Sequence, residues 1–249
     1  MSKTAIQGSV ALVTGANRGI GRAITEALLE RGADKVYAAA RKPATLADLR
    51  ERHGDRVVPL ELDVTDAAQV RAAAESAGDV EVLINNAGVA VGGDLADDAI
   101  LEAARTEMEV NYFAPLHLLQ RFAPILESSG GGAVVNVASV AGLSNFPFFP
   151  TYSASKAAAH SLTQAARALL VDQNIAVHGV YPGPVDTDMS KDIEMDKATP
   201  QDVANAILNG IEAGVPDIFP DAFAEGFGQQ FQASPKASEE QLAAMVAQA

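Results

Sequence analysis

Short apolar runs alternate along this chain with longer stretches in which apolar residues recur every three or four positions. The runs cover residues 9–14, 35–40, 56–62, 80–84, 133–138 and 175–180 and are rich in Val, Ile, Leu and Ala. Runs of that length without polar alternation predict strands buried on both faces. Between them, Ala23, Ile24, Ala27, Leu28 and Leu29 keep to one helical face until Gly32 stops it. Further helices are predicted over 46–52, from Asp66, over 98–127, and from Thr151 through Ala157, Leu162, Ala165, Leu169 and Leu170. Thr199-Pro200-Gln201-Asp202 opens another, with a threonine cap, proline in the first position and an acid in the first turn. Residues 216–220 predict a short edge strand. Residues 229–249 read as a polar, alanine-rich C-terminal tail with a helix over 239–247. Strands and helices alternate over the whole length, with no linker, repeat or heptad run. That predicts one α/β domain, 1–249, with a doubly wound parallel sheet and helices on both faces.

Composition narrows the class. Of the 249 residues 48% are hydrophobic, enough to fill one large α/β domain. No apolar run reaches the ~18–20 residues of a membrane span, and Met1-Ser2-Lys3-Thr4 opens without the apolar stretch of a signal peptide. There is no cysteine, which excludes disulfides, thiolate metal sites and cysteine nucleophiles and suits a reducing cytosol. A net charge of −14 disfavours nucleic acid, anionic membrane and acidic proteins as partners. A soluble, cytoplasmic protein without a metal is expected.

The first strand runs into Gly15-Ala16-Asn17-Arg18-Gly19-Ile20-Gly21 and then a helix. That order lets backbone N–H groups and a helix N-terminus hold a pyrophosphate, although the glycines are spaced more loosely than in G-x-G-x-x-G. The second strand ends in Ala40-Arg41, where an NAD-binding fold carries a carboxylate for the ribose 2′-hydroxyl. Arg41, with Arg18, suits a 2′-phosphate instead, because a guanidinium meets phosphate with two parallel hydrogen bonds. NADP(H) is therefore expected over NAD(H). Asp63, followed by Val64, either accepts a hydrogen bond from an adenine amino group or caps the next helix. The fourth strand ends in Asn85-Asn86-Ala87-Gly88, small and amide residues that suit close approach of backbone to a ligand.

Tyr152 and Lys156, four apart on a predicted helix, share a face. A close ammonium favours the phenolate and draws a tyrosine from its usual pKa of ~10 toward neutrality, where it can pass a proton to or from a substrate oxygen. Asn111 sits among apolar positions, so it is either a structural brace or a polar group facing a site. The loop 140–150 is unusually apolar, with Phe146, Phe148 and Phe149 broken by Pro147 and Pro150. It either lines a substrate pocket or is buried at a subunit contact.

Together these residues resemble the short-chain dehydrogenase/reductase family, in its compact single-domain branch. The likeness runs from about Val10 to Asp221. It rests on Thr14-Gly15-x-x-x-Gly19-x-Gly21, Asp63-Val64, Asn85-Asn86-Ala87-Gly88, Asn111, Ser139, Tyr152-x-x-x-Lys156 and Pro182-Gly183, in the family's order. The resemblance implies a single-domain Rossmann fold with a seven-stranded sheet in the order 3-2-1-4-5-6-7. It also implies a catalytic group of Asn111, Ser139, Tyr152 and Lys156. Tyr152 would be the general acid in ketone reduction and the base in alcohol oxidation. Lys156 would depress its pKa and bind the nicotinamide ribose, Ser139 would hold the substrate carbonyl, and Asn111 would hold a water leading to Lys156. The cofactor would lie along residues 15 and 17–21, Arg41, Asp63, Val64, Asn86, Ala87, Gly88, Pro182, Gly183, Val185 and Thr187. Relatives of this size are often homo-oligomers, dimers or tetramers built on the helices that carry Asn111 and Tyr152.

Three functions compete. An NADPH-dependent carbonyl reductase or alcohol dehydrogenase for a small hydrophobic ketone–alcohol pair is favoured by a pocket expected from Ser139, Val140, Leu143, Phe146, Phe148, Tyr152 and Met189. A 3-oxoacyl-carrier-protein reductase is disfavoured by the chain's own negative charge. A non-catalytic NADP sensor would not need the intact Ser139, Tyr152 and Lys156.

Overall fold

Valine- and alanine-rich strands without alternation lose their apolar surface to water unless both faces are covered, and this chain covers both. The structure is a computed structural model that describes residues 3–246. Its strands are β1 (Val10–Thr14), β2 (Lys35–Ala40), β3 (Val57–Glu61), β4 (Val82–Asn85), β5 (Gly132–Val137), β6 (Ile175–Val180) and β7 (Asp217–Ile218). They form one parallel sheet in the order β3-β2-β1-β4-β5-β6-β7, the order the family resemblance implies. The helices are α1 (Gly19–Glu30), α2 (Ala47–His53), α3 (Ala67–Ser76), α4 (Ile100–Met108), α5 (Ala114–Ser128), α6 (Pro150–Leu169), α7 (Pro200–Ala213), α8 (Ala222–Ala233) and α9 (Pro235–Val246).

Successive side chains of a strand point to opposite faces, and the core divides accordingly. Ala11 and Val13 of β1 and Ala133 and Val135 of β5 pack with Ile24 and Leu28 of α1, Leu49 of α2 and Ile207 and Ile211 of α7. Leu12 and Val134, one step along, pack with Val70 of α3, Leu118 and Phe122 of α5 and Ala166 of α6. A smaller third cluster joins Ala138, Val140 and Tyr181 beyond the strand ends to Ala224 of α8, with Leu143, Phe146, Phe219 and Phe227 against it.

The helical region predicted over 98–127 spans 100–128, with a π-helical turn, Glu109–Phe113, joining α4 to α5. Pro115 has no N–H to give the carbonyl of Asn111 four residues back, and the ladder widens so that Ala114 donates to Glu109. The tail predicted from 229 holds the end of α8, a helix the sequence reading did not expect, and then α9, with Leu242 of α9 buried. Gly226 and Gly228 weaken the helical signal of α8, since each glycine costs ~1 kcal/mol in a helix. Gly228 is there for packing, because a Cβ on it would stand 2.6 Å from the Phe219 ring. The predicted helix over 239–247 falls within α9 apart from Ala247, which lies outside the described residues.

Candidate active site

A parallel sheet brings the C-terminal ends of all its strands to one edge, the usual binding edge of this architecture. Here that edge carries Gly15 after β1, Arg41 after β2, Asp63 after β3, Asn86 after β4, Ser139 after β5 and Pro182 after β6.

The glycine loop is shaped for close approach. Gly15 (φ 67°) and Gly19 (φ 54°) hold left-handed backbone that other residues rarely adopt. A Cβ on Gly21 would collide with Asn86 Nδ2 and the Gly15 carbonyl, so only glycine lets the loop close on the helix. Helix α1 starts with no side-chain cap and no acid in its first turn. Its first N–H groups, at the positive end of the helix dipole, are thus left for an anion. These features fit a dinucleotide pyrophosphate. Asn17 and Ile20 complete the loop, with Ile20 packed on the core.

Asn86 ties two strand ends together. Its Nδ2 donates to the Thr14 carbonyl at 2.8 Å, while its N–H and that of Ala87 donate to Thr14 Oγ1 at 2.9 and 3.0 Å. Asn85 turns into the sheet instead. Its Nδ2 donates to Asn136 Oδ1 (2.8 Å), Asn136 Nδ2 donates to Thr163 Oγ1 (2.9 Å), and Thr163 donates to the Ala159 carbonyl (2.8 Å). This buried chain links β4, β5 and α6. Asn136 and Thr163 escaped the sequence reading, though a lone asparagine in the run Val134-Val135-Asn136-Val137 was the available signal.

Asn111, Lys156 and Gly88 meet at one point: a Cβ on Gly88 would lie 3.2 Å from Asn111 Oδ1 and 3.4 Å from Lys156 Nζ. Asn111 proves to be both brace and site neighbour. Its Oδ1 accepts from Val89 N–H (3.0 Å), and its Nδ2 donates to the Val89 carbonyl (2.8 Å) and Ser155 Oγ (2.9 Å). Ser155 in turn donates to the Tyr152 carbonyl at 2.7 Å. Lys156 Nζ donates to the Val137 carbonyl at 2.9 Å and stands 5.7 Å from the centre of the Tyr152 ring. Ser139 accepts from Ala141 N–H and reaches the Pro182 carbonyl.

Burial pushes the Tyr152 phenol up to about 12, with the Ser139 hydroxyl pulling the other way and Glu107 adding to the rise. Burial also draws the Lys156 ammonium down to about 8. In both groups desolvation of the charged form is the largest cause, and Tyr152 keeps part of its surface open while Lys156 is buried.

Arg18 is paired with Asp188 at 2.8 Å, both side chains largely exposed, whereas Arg41 is exposed with no ion pair among the described residues. Asp63 does not cap α3. It accepts from Thr65 N–H and Oγ1, and Asp66 caps the helix through the N–H groups of Ala68 and Gln69. Val64 and Val185 are core side chains. Thr187 lies against Gly19, its Cγ2 3.2 Å from where a Cβ would stand, and Gly183 N–H donates to Asp221, the cap of α8.

Of the expected pocket residues, Val140 is buried in the third cluster and Phe146 turns onto Phe227 of α8, ring centres 5.5 Å apart. The loop thus closes on a helix the sequence did not reveal. Leu143 is partly buried, and Phe148 and Met189 face outward at 51% and 52% exposure.

The family pattern described as "short chain dehydrogenase" matches residues 9–198. A short chain dehydrogenase from Burkholderia cenocepacia J2315, solved in complex with NADP, is 43% identical; the likeness covers 95% of this chain and 98% of that one, with a TM-score of 0.89. A short chain dehydrogenase/reductase from Burkholderia phymatum in complex with NAD is 27% identical over 94% of this chain and 96% of that one (TM-score 0.83). The 7alpha-hydroxysteroid dehydrogenase of Escherichia coli K12 is 31% identical over 223 residues, 82% of this chain and 87% of the relative.

Proposed function

The chain belongs to the short-chain dehydrogenase/reductase family, and on that premise we propose that it is an NADPH-dependent carbonyl reductase, or equivalently an alcohol dehydrogenase, for a small hydrophobic ketone–alcohol pair. The observation that carries this reading is the grouping of Tyr152, Lys156, Ser139 and Asn111 at the same strand-end edge from which the uncapped α1 starts. NADP(H) supplies the hydride in reduction and accepts it in oxidation. Tyr152 gives its proton to the carbonyl oxygen as that oxygen gains charge, and Ser139 donates a hydrogen bond to the same oxygen. Lys156, still mostly protonated at pH 7 with a pKa of about 8, steadies the resulting phenolate. The main-chain carbonyl of Asn111, freed by Pro115 of its usual helical donor, can hold the water that returns a proton through Lys156.

The preference for NADP(H) draws on Arg41, on the absence of a carboxylate at the end of β2, and on the 43%-identical relative bound to NADP. Arg18 contributes less, since it must first leave Asp188. Arg41→Ala is expected to raise the Kd of NADPH by about 10–100-fold, the worth of a charge-assisted pair, and that of NADH by no more than about threefold. Fluorescence titration of both cofactors measures this, and equal weakening of the two would remove the phosphate assignment. The hydroxysteroid relative supports a hydrophobic substrate. Leu143, Phe148 and Met189 supply apolar surface near the site, and exposed Phe113 and Leu169 supply it for a homo-oligomer.

The test is NADPH consumption with a panel of aryl and alkyl ketones beside an acetoacetyl thioester. Ketone turnover with NADPH and little with NADH supports the proposal. Turnover confined to the thioester replaces it with acyl-chain reduction, and NADPH binding with no turnover on either replaces it with a sensor.

A further inference from the structure

The peptide group between Pro182 and Gly183 is gripped at both ends. Its carbonyl accepts from Val140 N–H at 3.2 Å and from the Ser139 hydroxyl at 3.4 Å. Its N–H donates to Asp221 Oδ2 at 2.9 Å. A peptide group is planar and, as here, trans, so its C=O and N–H point in opposite directions. Holding the N–H therefore aims the carbonyl. The backbone ladder alone does not reach this far: β6 and β7 pair only at Gly179–Asp217 and Val180–Ile218, and Tyr181 N–H donates to the Ile218 carbonyl just beyond them. Past that point the Asp221 side chain takes over from the strand.

Asp221 uses its two oxygens for two different tasks. Oδ1 accepts from Ala224 N–H at 2.8 Å and caps α8. A cap needs only one oxygen, which serine supplies as well as aspartate does. The second oxygen reaches back 38 positions along the chain to Gly183, a bond that capping does not explain. Phe223 covers the same peptide: a Cβ on Gly183 would stand 2.7 Å from Phe223 Cδ1 and 2.8 Å from Asp221 Oδ1. Glycine at 183 is thus what lets α8 close on the loop beside Ser139. Asp221 lies beyond residues 9–198, which the family pattern spans.

We infer that Asp221 is a positioning residue for Ser139: it locks the Pro182–Gly183 peptide, whose carbonyl with Ala141 N–H fixes where the serine hydroxyl stands. Ala141 N–H donates to Ser139 Oγ at 3.2 Å, from the other side of the hydroxyl's hydrogen-bonding capacity. The 3.4 Å bond to Pro182 is long for a hydroxyl donor, so the hydrogen is free to turn to a substrate oxygen while the oxygen atom stays in place. This rests on Ser139 bonding the substrate carbonyl, as in the proposed function.

Asp221→Ser keeps one oxygen for the cap and has none left for Gly183. It should lower kcat of ketone reduction about tenfold, with KM changed less than twofold. In a Ser139→Ala background the same substitution should change kcat less than twofold, because the group it positions is gone. Equal losses in the two backgrounds overturn the positioning of Ser139, and so does a wild-type kcat in the single variant. Asp221→Thr, another cap with a single oxygen, decides if the serine variant does not fold. Amide exchange of Gly183, followed by NMR, should quicken by about tenfold in Asp221→Ser while that of Ala224 is kept; unchanged exchange at Gly183 overturns the lock. That measurement needs no turnover, so a wild type silent on every ketone would count against the proposed function while the lock is still tested.

Discussion

Tyr152→Phe is expected to lower kcat by ~10²–10⁴-fold, the range a positioned acid supplies, while NADPH binds within a few-fold of wild type. The substitution keeps the ring under Lys156 and removes only the hydroxyl beside Ser139, so the loss isolates the proton rather than the packing. Because burial holds the phenol near 12, the acid form is complete at neutral pH and ketone reduction should be insensitive to pH there. Reduction should weaken above pH 8, where Lys156, drawn down to about 8, loses the charge that steadies the phenolate. Single-turnover rates with NADPH and a reactive ketone measure both effects. A phenylalanine variant within tenfold of wild type would remove Tyr152 from the chemistry.

Lys156→Met should abolish most turnover and, at neutral pH, relieve the fold. A buried lysine lowered from 10.5 to about 8 binds fewer protons folded than unfolded between those values. Stability must then rise with pH through that window and carry the full cost of the buried charge below it. The shift corresponds to about 3 kcal/mol. Methionine keeps the apolar stem but leaves the Val137 carbonyl without its donor, which returns about 1–3 kcal/mol of the gain. The constant offset is therefore small, and the pH dependence is the signature. The stability of the variant relative to wild type should decline by about 3 kcal/mol between pH 7 and pH 11. Urea unfolding across that range measures it, and two parallel curves would contradict a desolvated ammonium at this position.

Much of the architecture could be read from patterns that are local. Six apolar runs became six strands within two residues at each end, and β7 proved a two-residue core of the predicted 216–220. The Thr199 cap and Pro200 marked the start of α7 as expected. The glycine loop and the Tyr152–Lys156 spacing located the edge of the sheet that carries the candidate site. What stayed hidden depends on partners distant in the chain. That Asn85 answers Asn136, that Arg18 is held by Asp188, and that Phe146 folds onto Phe227 are contacts across 51, 170 and 81 positions.

The chain of hydrogen bonds from Asn85 through Asn136 to Thr163 has a consequence for the aim of the tyrosine. Thr163 lies 11 residues beyond Tyr152 on α6; at about 100° per residue, the two differ in azimuth by only about 20°. Anchoring Thr163 to the sheet therefore sets the angle of the whole cylinder, like an index pin on a shaft. A slip of one residue at that pin would swing the phenol about 100° away from the carbonyl it must meet. The tyrosine's bearing is thus governed three turns from the hydroxyl that uses it.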